Sequence, residues 1–346
     1  MPTGDKQSID PAGPLREAVT ALEKHTNRRA FVLVGPFDHF LTQGITEEIV
    51  RAYGKQMPGA TTPLDVILES DGGDADAAYK AVLALRSVTN DLRMLVPRWA
   101  KSAATLFSLG ADVIAMTPAL AELGPLDAQV IDPRNPAKSM SALDGYQSVE
   151  YLRDYALKTQ SLAVGQILER TRSRVPLGEV IERSDSFAVS IISPIMSRVK
   201  PLDFGGWGRT LDIGRVYAER LLSRYGAAGR AADADSIAYQ LVYGYPHHGF
   251  AIDLAEATVL GLNAHAMDEE LHGLACDVVD GAFRCRQRIC DGDRHEWDRG
   301  YRGFTPEGES ETKPRKTKTG KEASNGSGKD PQLVSNLRDK IAKQDA

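Results

Sequence analysis

From residue 29 onward the chain alternates short apolar runs with amphipathic stretches. Residues 31–34, 66–68, 94–96 and 113–116 are apolar runs of strand length, the pattern of strands covered on both faces. Between them, residues 46–53, 74–87 and 102–109 space their apolar side chains as helices do. That rhythm predicts α/β units around a largely parallel sheet. Ahead of it, Leu15, Val19 and Leu22 mark a helical stretch in an otherwise polar N-terminal arm, residues 1–27. Beyond Val130 the texture changes to a Pro-containing loop over 132–138, then helical periodicity over 147–172, 178–199, 211–225 and 234–243. A domain over 28–270 is expected, with its helical portion from about 144. A Cys- and His-containing extension, 271–300, follows. The locally basic tail, 301–346, is nearly devoid of large apolar residues until an amphipathic stretch at 333–341. Such a composition cannot offset its own ordering entropy, so the tail is expected to be disordered.

Composition narrows the function classes. With 346 residues and 42% hydrophobic positions the chain can bury a large core. Its formal net charge of −5 provides no basic field, so no specific nucleic-acid partner is expected. No apolar run approaches ~18 residues and the first 25 residues lack an apolar signal core, so no membrane partner and a cytoplasmic location are expected. Cys276, Cys285 and Cys290 lie close together with His272 and His295 flanking them, but without a C-x-x-C pair. No metal site and no cofactor are therefore expected. P-loop, dinucleotide and H-E-x-x-H patterns are absent from the sequence.

Acyl transfer needs a nucleophile beside backbone N–H donors that meet the developing oxyanion. The strand around Val66 runs into Ser70, Asp71, Gly72 and Gly73 and then a helix, which places two glycines where backbone can approach a substrate closely. The strand around Met94 leads to Ala100, Lys101, Ser102, Ala103 and a second helix. Ser102 at that corner is either an N-cap or a nucleophile held at a helix start.

These segments, with Ala111 to Pro118 (ADVIAMTP), Leu123 to Gln129 (LGPLDAQ), Val199 to Asp203 (VKPLD) and Tyr245 to Phe250 (YPHHGF), resemble the ClpP/crotonase superfamily in its protease branch. Within it they look most like the serine dehydrogenase proteinase family, itself similar to signal peptide peptidase A. The resemblance implies an α/β fold, a ClpP/crotonase-like spiral of ββα units with a helical C-terminal portion, and homo-oligomeric rings. It also implies a serine peptidase acting on peptides or proteins. Carried over by position, Ser102 is the nucleophile, and the amides of Gly73 with Gly72, and of Ala103, form the oxyanion hole.

The general base is less determined. Where ClpP has its histidine this chain has Asp127, and no histidine lies between His39 and His247. A desolvated lysine can substitute. Lys158, beside Tyr151, Tyr155 and Leu162 at helical spacing, is preferred over Lys138 in its Pro-flanked loop. His248, on a Pro- and Gly-bounded turn, is the remaining candidate. Two other readings share the fold class: an acyl-CoA enzyme using Glu122 and Asp127, and a non-catalytic assembly subunit.

Overall fold

The computed structural model describes residues 12–53, 62–132, 135–226, 233–290 and 301–302. The elements in chain order are α1 (Gly13–Thr26), β1 (Arg29–Val34), α2 (His39–Tyr53), β2 (Leu64–Glu69), α3 (Ala75–Arg86), β3 (Leu92–Val96), β4 (Trp99–Ala100), α4 (Ala103–Ser108), β5 (Val113–Met116), β6 (Glu122–Leu123), β7 (Gln129–Asp132) and β8 (Asn135–Ser141). There follow α5 (Ala142–Thr171), α6 (Leu177–Met196), α7 (Pro201–Tyr225), α8 (Ala234–Tyr243), α9 (Leu254–Leu260), β9 (Ala264–Ala266), α10 (Glu269–Cys290) and β10 (Tyr301–Arg302).

The main sheet runs β10-β1-β2-β3-β5-β9. Its neighbours are parallel except β10, which pairs antiparallel with β1. Strand side chains alternate faces with a period of two, and the core divides accordingly. Phe31, Leu33, Val66, Leu68, Met94, Val96, Ile114 and Met116 enter a large core with residues of α2, α3, α4, α7 and α8. Ala30, Val32, Val34, Ile67, Leu95 and Ala115 face the other way, into a smaller core built by α1 and α10. Both faces are covered, which is why these strands read as continuous apolar runs. Asp65, buried in β2, receives Arg28 Nε at 2.5 Å and Arg93 Nη2 at 2.6 Å, so its charge is compensated on both oxygens.

The mixed α/β class with a parallel sheet agrees with the sequence pattern, and several element bounds do not. Residues 135–138, part of the expected loop over 132–138, belong instead to strand β8, paired antiparallel with β7 in a largely exposed hairpin. Helix α7 begins at Pro201 rather than near Leu211. Proline is favourable at the first helical position, and Trp207 packs so closely on α5 that a Cβ at Gly145 would lie 2.8 Å from its ring. That tertiary contact outweighs the low helix propensity of Gly205, Gly206 and Gly208. The N-terminal arm residues Leu15, Val19 and Leu22 are fully buried against α10. Of the expected tail, 301–346, Tyr301 and Arg302 form β10 against β1 rather than disordered chain, and residues 303–346 lie outside the described residues.

Candidate active site

The ends of β2 and β3 in the main sheet and the end of β6 in the small β4-β6 sheet converge on one place. The turn after β2 and the corner after β3 are laced together by backbone hydrogen bonds: Ser70 N–H donates to Trp99 O (3.2 Å) and Lys101 N–H to Ser70 O (2.9 Å). The β4 and β6 segments then pair in parallel, Ala100 opposite Leu123. Thr105 Oγ1 donates to Ala100 O (2.6 Å) and accepts from Gly124 N–H (2.9 Å), which locks the third strand end onto the first residues of α4.

Ser102 sits at the start of α4 with φ 51° and ψ −117°, a conformation that a residue with a Cβ rarely adopts. Holding it costs about 1–3 kcal/mol, which the surrounding ties must offset. Its side chain makes no capping hydrogen bond, so the N-cap explanation of this serine loses its physical content. The serine of α/β-hydrolases likewise stands at a strained strand-to-helix elbow.

The glycine turn explains itself by contact. A Cβ at Gly72, where φ is 105°, would stand 2.8 Å from Ser102 Cβ and 3.1 Å from Ala103 N. Gly72 is therefore the residue that lets the turn touch the serine corner. Its own N–H donates to Ser70 Oγ at 3.0 Å, so it is engaged elsewhere. At Gly73, φ 139°, a Cβ would meet Phe37 O at 2.2 Å. Phe37 N–H donates to Gly72 O and Phe37 O accepts from Asp74 N–H, each at 2.8 Å. In that parallel bridge the intervening Gly73 N–H points away from Phe37. Among the described residues neither the Gly73 nor the Ala103 N–H donates to a backbone acceptor.

A cavity of about 510 Å³ opens over this corner, and its lining includes Ser102, Gly73, Ala103 and His248. Asp71, Asp74 and Asp76 contribute carboxylates to the wall, and Leu106, Leu126 and Ile213 contribute apolar surface. His248 comes from the turn between α8 and α9. Its Nδ1 lies 3.0 Å from Oδ1 of Asp127, a carboxylate 1% exposed. A carboxylate only accepts, so Nδ1 carries the proton and Nε2 is the ring's free nitrogen. Ser141 Oγ, the N-cap of α5, donates to the other Asp127 oxygen at 2.6 Å. The hydrogen bond to Asp127 pushes the His248 pKa up; burial and the positive charge of Lys101 pull against it. Beneath the turn Tyr245 is buried, with its hydroxyl donating to Glu256 Oε1 at 3.1 Å and its ring packed on Phe250.

Of the residues singled out from sequence, Ser102, Gly73, Ala103 and His248 share the cavity, and Gly72 lies directly behind the serine. Lys158 is exposed on α5 and Lys138 is exposed on β8; neither is among the cavity-lining residues. The desolvated setting expected for Lys158 is not present, because Tyr151, Tyr155 and Leu162 beside it are themselves exposed. Sequence reasoning missed Asp127 as the partner of His248. The two are 121 positions apart, and the turns that carry them are brought together by tertiary contacts such as the antiparallel bridge of Leu123 with Ile252. Glu122, the other carboxylate considered for acid chemistry, pairs with Lys101 at 2.8 Å. Cys276 Sγ lies 3.6 Å from His272 Nδ1 and Cys285 is buried. No described group of three or more His, Cys, Asp or Glu is arranged to hold a metal ion, while the Cys290 side chain and His295 lie outside the described residues.

Residues 16–167 match the model of a family described as ClpP-like SDH-type serine proteinase. Two uncharacterized proteins of Methanocaldococcus jannaschii are 37% and 34% identical to this chain over 95 residues, 28% of its length. The chain spans 32% of the length of each of these curated relatives. Among solved structures, a serine-to-alanine variant of the 1510-N membrane-bound stomatin-specific protease is 14% identical with a TM-score of 0.39, covering 70% of this chain and 82% of its own. A ClpP1 variant from Listeria monocytogenes is 10% identical with a TM-score of 0.35, covering 73% and 99% respectively.

Proposed function

We infer, from the match of residues 16–167 to the ClpP-like SDH-type serine proteinase model, that the chain is a serine peptidase with Ser102 as nucleophile, His248 as general base and Asp127 as the group that orients it. The observation that carries this reading is the conjunction at one cavity of a strained, uncapped serine and a histidine tied to a buried carboxylate. Asp127 holds the tautomer that leaves Nε2 available. Nε2 takes the Ser102 Oγ proton as Oγ attacks the peptide carbonyl carbon, and the carbonyl oxygen becomes an oxyanion facing the Gly73 and Ala103 amides. Collapse breaks the C–N bond, with the proton passing from His248 to the leaving amine. Water, deprotonated by the same nitrogen, then hydrolyses the acyl-enzyme and restores the serine.

Lys158 has no part in this scheme, because it is exposed on α5 and is not among the residues that line the cavity over Ser102. The acyl-CoA reading loses its acids, since Glu122 is held by Lys101 and both oxygens of Asp127 accept from neighbours. The substrate is a peptide or protein segment entering the cavity over Ser102. Self-association into homo-oligomers fits the exposed Leu157, Leu162, Ile181, Phe187 and Val189 of α5 and α6. Among the described residues no helix is long and apolar enough to cross a membrane.

A fluorophosphonate probe tests the reading. Labelling is expected in the wild type and in Ser108→Ala, whose hydroxyl is buried on Ala104 O, and not in Ser102→Ala. A wild type that does not label, in a protein shown to be folded, counts for the non-catalytic alternative.

A further inference from the structure

We propose that Lys101 is a positioning residue that holds the base turn against the nucleophile corner. The proposal rests on the assignment of Ser102 and His248 above. Lys101 precedes Ser102 in the chain, yet it is not among the cavity-lining residues. Nζ donates to Leu123 O at 3.2 Å and to Phe250 O at 3.3 Å, and pairs with Glu122 Oε1 at 2.8 Å. An ammonium has three donors and no acceptor, and all three here have a partner, so this lysine is a clamp and not a base. Its side chain is only 16% exposed, and it lies so close to Gly124 that a Cβ there would be 2.7 Å from Cδ.

The anchoring points explain what the clamp does. Leu123 lies four residues before Asp127, and Phe250 lies two residues after His248. The two turns meet each other directly through one antiparallel bridge, Leu123 with Ile252. Lys101 Nζ adds a bond to each turn from the residue next to the nucleophile. Its backbone N–H meanwhile donates to Ser70 O at the root of the glycine turn. One residue thus ties the oxyanion turn by its main chain, the serine by a peptide bond and the base by its ammonium. The charges that act most directly on His248 are Asp127 and Lys101, with Glu122 behind the lysine and the carboxylates of Asp71, Asp74 and Asp76 across the shared cavity. Removing the ammonium therefore removes a like charge from the imidazolium and loosens the turn that carries it.

Lys101→Met keeps the alkyl stem over Gly124 and deletes the charge. It is expected to melt cooperatively, to be acylated by the fluorophosphonate about tenfold to a hundredfold more slowly, since a misplaced catalytic group loses rate on that scale, and to shift the midpoint of the rate-against-pH curve upward. KM for a peptide substrate should change little. Glu122→Gln, which keeps the amine and neutralises its counter-charge, should move the midpoint downward with a smaller loss of rate. It also serves if Lys101→Met does not fold. Wild-type rate and midpoint in folded Lys101→Met would overturn the clamp. If the wild type itself fails to label, the peptidase reading falls. The clamp is then read from the His248 imidazole by NMR titration, its resonance identified by loss in His248→Ala. An unchanged His248 titration in Lys101→Met would sink it there too.

Discussion

The two halves of the proposed site, oxyanion hole and base, are built by different means. The oxyanion half is made of backbone: Gly72, Gly73, Ser102 and Ala103 lie at adjacent parallel strand ends, and their positions follow from sheet hydrogen bonds and from the absence of a Cβ at the point of contact. The base half is made of side chains brought from afar, with His248 resting on Asp127, Asp127 on Ser141, and the turn itself on Tyr245. A backbone-built half is rigid and tolerates almost no substitution at its contacts. A side-chain-built half can be dismantled one hydrogen bond at a time and can titrate.

Breaking the comparison at the nucleophile has the largest effect. Ser102→Ala should reduce peptide hydrolysis to background, and by relieving no φ strain it should leave the melting temperature close to wild type. On the base side, His248→Ala and Asp127→Asn should each lower kcat/KM by about 10³–10⁴, the scale on which triad members act in other acyl-transfer enzymes. Asp127→Asn should also move the pH midpoint downward, because the hydrogen bond that raises the His248 pKa is lost. On the backbone side, Gly72→Ala should cost activity about 10²–10³-fold and lower the melting temperature as well, because its Cβ would collide with Ser102 Cβ at 2.8 Å. A Gly72→Ala protein that melted as the wild type does would show that the turn is looser than described.

Smaller effects sharpen the contrast. His248 has a folded pKa above its ordinary value near 6.5, so the Asp127 contact stabilises the fold most below that pH. The contribution is lost as pH rises through the raised value. The melting temperature difference between wild type and His248→Gln should accordingly be largest below the ordinary histidine value of about 6.5 and shrink as pH rises above it. Lys158→Ala should leave labelling within about twofold of wild type, as expected for an exposed position away from the cavity. A large loss there would return the base to α5.

The same division explains what could be read from the sequence. The strands of the main sheet were legible because both faces are buried, and Phe31, Val66, Met94 and Ile114 stand in unbroken apolar runs. The corner that carries Ser102 and the glycine turn were legible because each is local, a strand end, small residues and a helix start within a few positions, whereas the choice of nucleophile over N-cap came from the family resemblance. The exposed β7 and β8 hairpin carries no apolar stripe, and Pro136 reads as loop unless one knows that the strand is an edge. The early start of α7 depends on Trp207 meeting Gly145, a contact between helices that no local preference encodes. Asp127 and His248 were visible as residues and not as a pair. Their meeting is fixed by a bridge of one residue pair and by Lys101, neither of which leaves a periodic trace.

The decisive measurement is the rate of Ser102 acylation by a fluorophosphonate as a function of pH, followed by intact-protein mass spectrometry in the wild type and His248→Ala. One adduct on Ser102, formed through a single ionisation with a midpoint above about 6.5 and lost together with its pH dependence when His248 is removed, is the predicted result. An adduct that forms at the same rate and with the same profile without His248 would contradict the account.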